Sequence, residues 1–170
     1  SIIIGDTGTS PLIENNDMPV TCVVVGGGDG TAPVIRGNTI RGCPEGYLIR
    51  VDAGSPSIEG NDLELENGAG IRVQADATEV VVRGNMIRGL AQGIQVRSPD
   101  VPVVIEDNTI TGNAVGVAMY GGTNIAMTDN QIVSSDIGVL IQGPGDPVMS
   151  GNTLCDNGVN VRVAPGSRAM

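Results

Sequence analysis

Apolar residues along this 170-residue chain fall in short alternating runs rather than in helical stripes. Val80-Val81-Val82-Arg83 and Val103-Val104-Ile105-Glu106 each lead into an Asn, and a very short strand such as Ile87-Arg88 follows it. A third set comprises Ile71-Arg72-Val73, Ile94-Gln95-Val96, Val117-Ala118-Met119, Val139-Leu140-Ile141 and Val161-Arg162-Val163. Period-2 alternation over a few residues predicts strands, and no window carries the 3.6-residue period of a helix. The strands recur in step with Asn38-Thr39-Ile40, Asn61-Asp62-Leu63, Asn85-Met86-Ile87, Asn108-Thr109-Ile110, Asn130-Gln131-Ile132 and Asn152-Thr153-Leu154, at spacings of 23, 24, 23, 22 and 22 residues. Asn16-Asp17-Met18 extends the series backward by 22, giving seven copies.

Eight residues after most of these Asn stands Gly46, Gly93, Gly116 or Gly138; Gly70 comes one later, and Asn160 takes the slot in the last copy. Gly and Asn tolerate positive φ, so the slot predicts a tight corner. Three short strands per turn, cornered at Asn and Gly, predict a parallel β-helix with coils stacked ~4.8 Å apart. Leucine-rich repeats would show L-x-x-L-x-L runs, which are absent, and a β-sandwich would not hold Asn at one phase through every copy. Stacking turns each phase into a column. Ile40, Leu63, Ile87, Ile110, Ile132 and Leu154 become an inward aliphatic column, and Asn38 through Asn152 a column of amides, each bonding to the next coil. Glu14, Arg36, Glu59, Arg83 and Glu106 alternate in sign on one outer face, and Arg41, Glu64 and Arg88 form a shorter run; both read as register-setting pairs.

The pattern G/D-N-x-I-x-G…G-I-x-V resembles the repeats of the pectin-lyase-like superfamily, over residues 13–163 of a single domain spanning 1–170. The resemblance implies an all-β fold, a right-handed single-stranded parallel β-helix of about seven coils with a ~23-residue repeat. It leaves function open, because lyases, hydrolases, epimerases, esterases, tailspikes and adhesins share the architecture. It also implies that a substrate cleft would lie on the outer face of the strand after the Gly corner. Outward positions there are Arg50, Arg72, Gln74, Gln95, Arg97, Tyr120, Gln142 and Arg162. Guanidinium forks and amides suit the carboxylates and hydroxyls of acidic sugars, so Arg50, Gln74, Gln95, Tyr120 and Gln142 are candidate substrate contacts for an acidic polysaccharide. Lyases of this kind use Arg as base beside Ca²⁺, which makes Arg72 and Arg97 the candidate catalytic residues. Asp29, Asp52, Asp76, Asp100 and Asp146 recur at similar spacing in the following loops, with Thr123 filling a missing rung. Stacked carboxylates repel unless solvated or bridged by a hard cation, so Asp76 and Asp100 are the pair to test for Ca²⁺.

Composition narrows the chemistry further. The chain has no His, Lys, Phe or Trp, and its only aromatics are Tyr47 and Tyr120. Absence of His removes Ser-His-Asp and Cys-His nucleophile pairs, HExxH zinc sites and an imidazole base. Absence of Lys removes Schiff-base chemistry and a Walker A loop, so Gly26-Gly27-Gly28-Asp29-Gly30 reads as a loop. A net charge of -10 without a basic run argues against a nucleic-acid partner. No stretch is long enough for a membrane span, and no signal peptide is visible. Cys22 and Cys43 are 21 residues apart, close to one coil; an inter-coil disulfide and reduced, half-buried thiols fit equally, and Cys155 is left over.

The chain opens at Ser1-Ile2-Ile3-Ile4 without an initiator Met, which reads as a processed or excised segment. No capping helix precedes the first coil, so a neighbouring domain or another copy is expected to cover the helix ends. Together these features point to a periplasmic, extracellular or cell-surface β-helix module, carbohydrate-associated and non-catalytic, within a larger protein. The alternative is a polysaccharide lyase-like enzyme acting on acidic glycans by Arg-assisted β-elimination with Ca²⁺.

Overall fold

A computed structural model describes residues 1–97, 101–121 and 124–167. The described chain is all-β, and no helix in it is long and apolar enough to cross a membrane. Three parallel sheets run along a solenoid of about seven coils. The long sheet contains Ile2–Ile4, Val23–Val25, Tyr47–Gly54, Ala69–Ala77, Gln92–Val96, Val115–Tyr120, Ile137–Gln142 and Val159–Val163. The second runs from Leu12–Glu14 to Val148–Ser150, and the third, of two- and three-residue strands, from Asp17–Met18 to Thr153–Cys155. Each strand pairs with its counterpart one coil away, the arrangement the repeat predicts.

Register places Met18, Ile40, Leu63, Ile87, Ile110, Ile132 and Leu154 one above another, and the five isoleucine and leucine residues from Ile40 to Ile132 are 0 % exposed. Similar columns of Val and Ile from the other two sheets complete one continuous core. The interior is a narrow tube filled by branched aliphatics, which explains why a chain almost without rings still folds.

The chain turns into the third sheet at a residue in the left-handed region: Asn15, Gly37, Gly60, Gly84, Asp107, Asp129 and Gly151 all have φ between 55° and 66°. Gly, Asn and Asp are the residues that take this conformation at least cost. The Asn that follows is turned inward at the bend. The Asn85 N–H and Nδ2 donate to Asn108 Oδ1 at 2.9 and 3.0 Å, and Nδ2 also donates to the Ile58 carbonyl at 2.9 Å. Asn85 Oδ1 in turn accepts from the Asn61 N–H and Nδ2. The same pattern links Asn38 to Asn61 and Asn108 to Asn130. These amides are 1 % exposed with their hydrogen-bonding groups satisfied. A second, shorter column forms five residues further on, where Leu90 N–H donates to Asn113 Oδ1 and Ser135 N–H to Asn157 Oδ1.

The glycine slot differs from the expected corner. Gly70, Gly93, Gly116 and Gly138 lie within strands and are not among the glycines with positive φ. Their constraint is steric: a Cβ at Gly116 would stand 2.6 Å from the Gly138 carbonyl oxygen and 2.7 Å from Ile132 Cγ2. Gly46 does not belong to the column either. Tyr47 pairs with Ala69, so Gly46 stands opposite Gly68, and Leu48 opposite Gly70.

Charge columns hold the outside in register. Arg36 pairs with Glu14 at 2.7 Å, and Arg83 bridges Glu59 and Glu106 at 3.2 and 3.4 Å. The second run recruits Asp62, which no spacing flagged: Arg88 binds both Asp62 and Glu64, as does Arg41 at longer range. Cys22 and Cys43 form a disulfide between neighbouring coils with Cα atoms 5.4 Å apart, and Cys155 is free and exposed.

Two stability predictions follow from this frame. Asn85→Ala orphans the buried Asn61 N–H and the Ile58 carbonyl and is expected to cost about 3 kcal/mol, read as a lower urea midpoint at unchanged slope. Replacing Cys22 and Cys43 together by Ala is expected to cost about 3 kcal/mol through release of the closed loop, whereas Cys155→Ser stays within about 0.5 kcal/mol of the parent.

Candidate functional site

The outer face of the long sheet carries both tyrosine rings and, among the described residues, the arginines without a carboxylate partner. Because a Cβ at Gly70 would meet Ile87 and Leu90 in the interior, the residue before it is turned outward. Tyr47, Ala69 and Gln92 therefore form one outward column. Three residues on, Arg50, Arg72, Gln95, Ala118, Leu140 and Arg162 form the next. Beyond it Tyr120 pairs with Gln142.

Tyr47 faces outward yet is only 2 % exposed, because two guanidinium groups lie over it, Arg50 at 4.8 Å and Arg72 at 5.7 Å from the ring centroid. These are cation–π distances. The Tyr47 hydroxyl accepts from Arg50 Nη1 at 2.9 Å and donates to Glu45, which also accepts from Ser1 Oγ at 3.1 Å. Burial, and then the Glu45 carboxylate, push the Tyr47 phenol up, while the hydrogen bonds from Tyr47 and Ser1 hold Glu45 below the usual carboxylate range. On the other side Arg97 lies 5.2 Å from the Tyr120 ring centroid. Gln92 Nε2 donates to the Tyr120 hydroxyl at 2.7 Å, and Gln95 Nε2 donates to Gln92 Oε1.

Arginine pairing divides the molecule. Arg36, Arg41, Arg50, Arg83 and Arg88 all have carboxylate partners. Among the described residues none lies within ion-pair reach of Arg72, Arg97 or Arg162, and all three stand on this one face. Arg72 is held below the usual arginine range, first by partial burial and then by repulsion from Arg97 and Arg50. It stands directly opposite Arg50 in register, a like-charge pairing that the other sheets avoid.

The remaining candidates are placed less uniformly. Gln74 is half-buried and Gln142 exposed. Gln95 is 3 % exposed, so its amide is covered rather than offered to solvent. The aspartate edge does not form. A register shift after Val73 sets Asp76 against Ala53 instead of Asp52, leaving Asp76 exposed, and Asp52 is neutralised by Arg50 at 2.8 Å. Asp100 and Thr123 lie outside the described residues. Among the described residues no three His, Cys, Asp or Glu side chains gather into a group able to hold a metal ion, so the Ca²⁺ expectation finds no support.

Tyr47 and Gln92 escaped the sequence reading. Aligning the coils on Gly46 put Tyr47 out of phase; aligning Ile49 with Ile71 would have brought it beside Ala69 and Gln92.

The comparisons agree with this architecture. No curated protein and no solved structure matches the chain. A family model described as NosD, periplasmic copper-binding protein, matches residues 11–169. That match takes in nearly every coil of the solenoid, and the chain accordingly belongs to the NosD family of periplasmic copper-binding proteins.

Proposed function

We propose that this chain is a non-catalytic β-helix module of the periplasm that receives an acidic polysaccharide on the outer face of its long sheet. The observation that carries the reading is the segregation of arginine. In a chain of net charge -10, the cations left without acidic partners among the described residues share one face with both tyrosines. Guanidinium groups match carboxylates bidentately, amides match hydroxyls, and rings cover the apolar faces of sugars. Arg72, Arg97, Gln74, Gln142 and Tyr120 would make these contacts, with Arg50 and Tyr47 supporting Arg72 from below. The inter-coil disulfide suits the oxidising periplasm.

Arg-assisted β-elimination is the second reading, favoured by one observation: Arg72 is held below the usual arginine range. Its calcium carboxylates do not support it, since Asp76 is exposed and displaced in register.

The copper in the family's description calls for imidazole, thiolate or thioether donors. This chain has no His, Cys22 and Cys43 are joined in a disulfide, and of the described methionines Met18, Met119 and Met127 are buried in the core, Met149 is partly buried against it, and Met86 is exposed on another sheet from Met149. Cys155 is exposed, and among the described residues no group of three His, Cys, Asp or Glu gathers around it. The residues described do not fit a resident copper ion, and the face described above owes nothing to one.

Two measurements test these statements. Titration of the chain with polygalacturonate is expected to show salt-sensitive binding without unsaturated product, weakened about tenfold or more in Arg72→Ala and Arg97→Ala. Absence of binding would refute the polysaccharide reading, and unsaturated product would convert it to a lyase. In a competition for Cu(I) against a chromogenic chelator, the disulfide form is expected to leave the metal with the chelator; one equivalent retained would contradict the copper assignment.

A further inference from the structure

In an Asn-Gly dipeptide the glycine N–H can attack the preceding carboxamide, because no Cβ obstructs its approach. The chain holds two, Asn67-Gly68 and Asn157-Gly158, and the fold treats them differently. Asn157 belongs to the shorter amide column. Its Oδ1 accepts from the Ser135 N–H at 2.9 Å, and its Nδ2 donates to the Ile132 carbonyl at 2.9 Å and to Asn160 Oδ1 at 3.1 Å. The Gly158 N–H is committed as well, to the Ser135 carbonyl at 2.9 Å. Electrophile and nucleophile are both held, and neither turns toward the other without breaking bonds between coils.

Asn67 lies at the bend between the third sheet and the long sheet, after Asp62–Glu64 and before Ala69–Ala77. It is exposed, and among the described residues neither its backbone nor its carboxamide has a hydrogen-bond partner. The Gly68 N–H likewise donates to no carbonyl among the described residues. Pairing between coils resumes one residue on, where the Ala69 N–H donates to the Gly46 carbonyl at 3.0 Å. Exposed bends without backbone hydrogen bonds rearrange at little cost, so the carboxamide reaches the Gly68 nitrogen with the coils still folded. The fold also requires this glycine. Its φ is 102°, and a Cβ there would collide with the Gly46 carbonyl.

We propose that Asn67 is a site of spontaneous deamidation in the folded protein and that Asn157 is protected from it. The Gly68 amide nitrogen, its proton lost to hydroxide, bonds to Asn67 Cγ; the Cγ–Nδ2 bond breaks, and Nδ2 leaves as ammonia with a proton from water. The resulting succinimide takes up one water. Opening at Cγ leaves aspartate at position 67, and opening at the main-chain carbonyl leaves isoaspartate, whose backbone path is one carbon longer. Either product adds a negative charge beside Glu66 to a chain already at -10. Isoaspartate also lengthens the chain immediately before two bonds between coils, from Ala69 N–H to the Gly46 carbonyl and from Gln92 N–H to the Gly68 carbonyl, both 3.0 Å. The modification therefore falls at the entry to the strand that carries Arg72, and it is independent of whether a polysaccharide binds there.

The full-length chain is aged in mildly alkaline buffer and sampled by peptide mass mapping, with a parallel sample held in urea. In the folded chain, conversion of Asn67 is expected to run about tenfold or more ahead of Asn157, whereas in urea the two dipeptides are expected to convert at similar rates. Asn67→Gln, a change at an exposed side chain, is expected to remove the more acidic species that accumulates on anion exchange as the parent ages. Conversion of Asn157 as fast as Asn67 in the folded chain overturns the proposal. So does an Asn67 that stays intact in the folded chain while the urea sample converts. Both comparisons are made on the parent sequence, so neither depends on a variant folding.

Discussion

Strand residues of this protein sit directly above and below their counterparts in neighbouring coils, because the backbone hydrogen bonds run along the solenoid axis. Whatever occupies a phase once must therefore be compatible with itself, or with its neighbour's choice, about 5 Å away. Branched aliphatics meet that condition inside the tube. An asparagine meets it at the bend, since its carboxamide presents donors to one side and an acceptor to the other. Glycine meets it at Gly93 and Gly116, where the next coil's carbonyl comes too close for any Cβ.

Charge obeys the same rule. A column of one sign would repel itself at every step, and the second and third sheets avoid this by alternating Glu or Asp with Arg. Each exposed pair is worth little in stability, about 0–1 kcal/mol, but a slipped register would convert every attraction into repulsion. The outer face of the long sheet is the exception. Arg50 and Arg72 are stacked, Arg97 is close enough to lower the proton affinity of Arg72, and among the described residues a carboxylate is supplied to Arg50 alone. Tyr47 softens the arrangement by placing a π-face beneath two guanidinium groups. Among the described residues, arginine is neutralised on the other sheets, while Arg72, Arg97 and Arg162 stand on this face without acidic partners.

Much of the fold was legible in the sequence because a solenoid writes its geometry as a period. The asparagine spacing located the coils, and the alternation of Glu14, Arg36, Glu59, Arg83 and Glu106 anticipated ion pairs that the structure contains. The candidate site was only partly legible. Arg50, Arg72 and Tyr120 were identified from alternation after a glycine, but that glycine was taken as a corner and Gly46 was assigned to the wrong column. The slip hid Tyr47 and Gln92. The aspartates failed for a related reason: coils differ in length, from 21 residues between Ile2 and Val23 to 26 between Val23 and Ile49, so equal spacing in the loops did not mean equal position.

What the sequence determined by itself was the repeat, and with it the stacked parallel strands, the aliphatic tube and the bend at each asparagine, since each follows from residue type recurring at one phase. Only the tertiary structure decided which outward side chains share a surface and which are left without partners. Arg88 reaches past its own register to Asp62, and Gln95 is buried although it stands in the outward column of its sheet. These outcomes depend on side-chain length and rotamer and on the register shift after Val73, none of which leaves a mark in the spacing of residues along the chain.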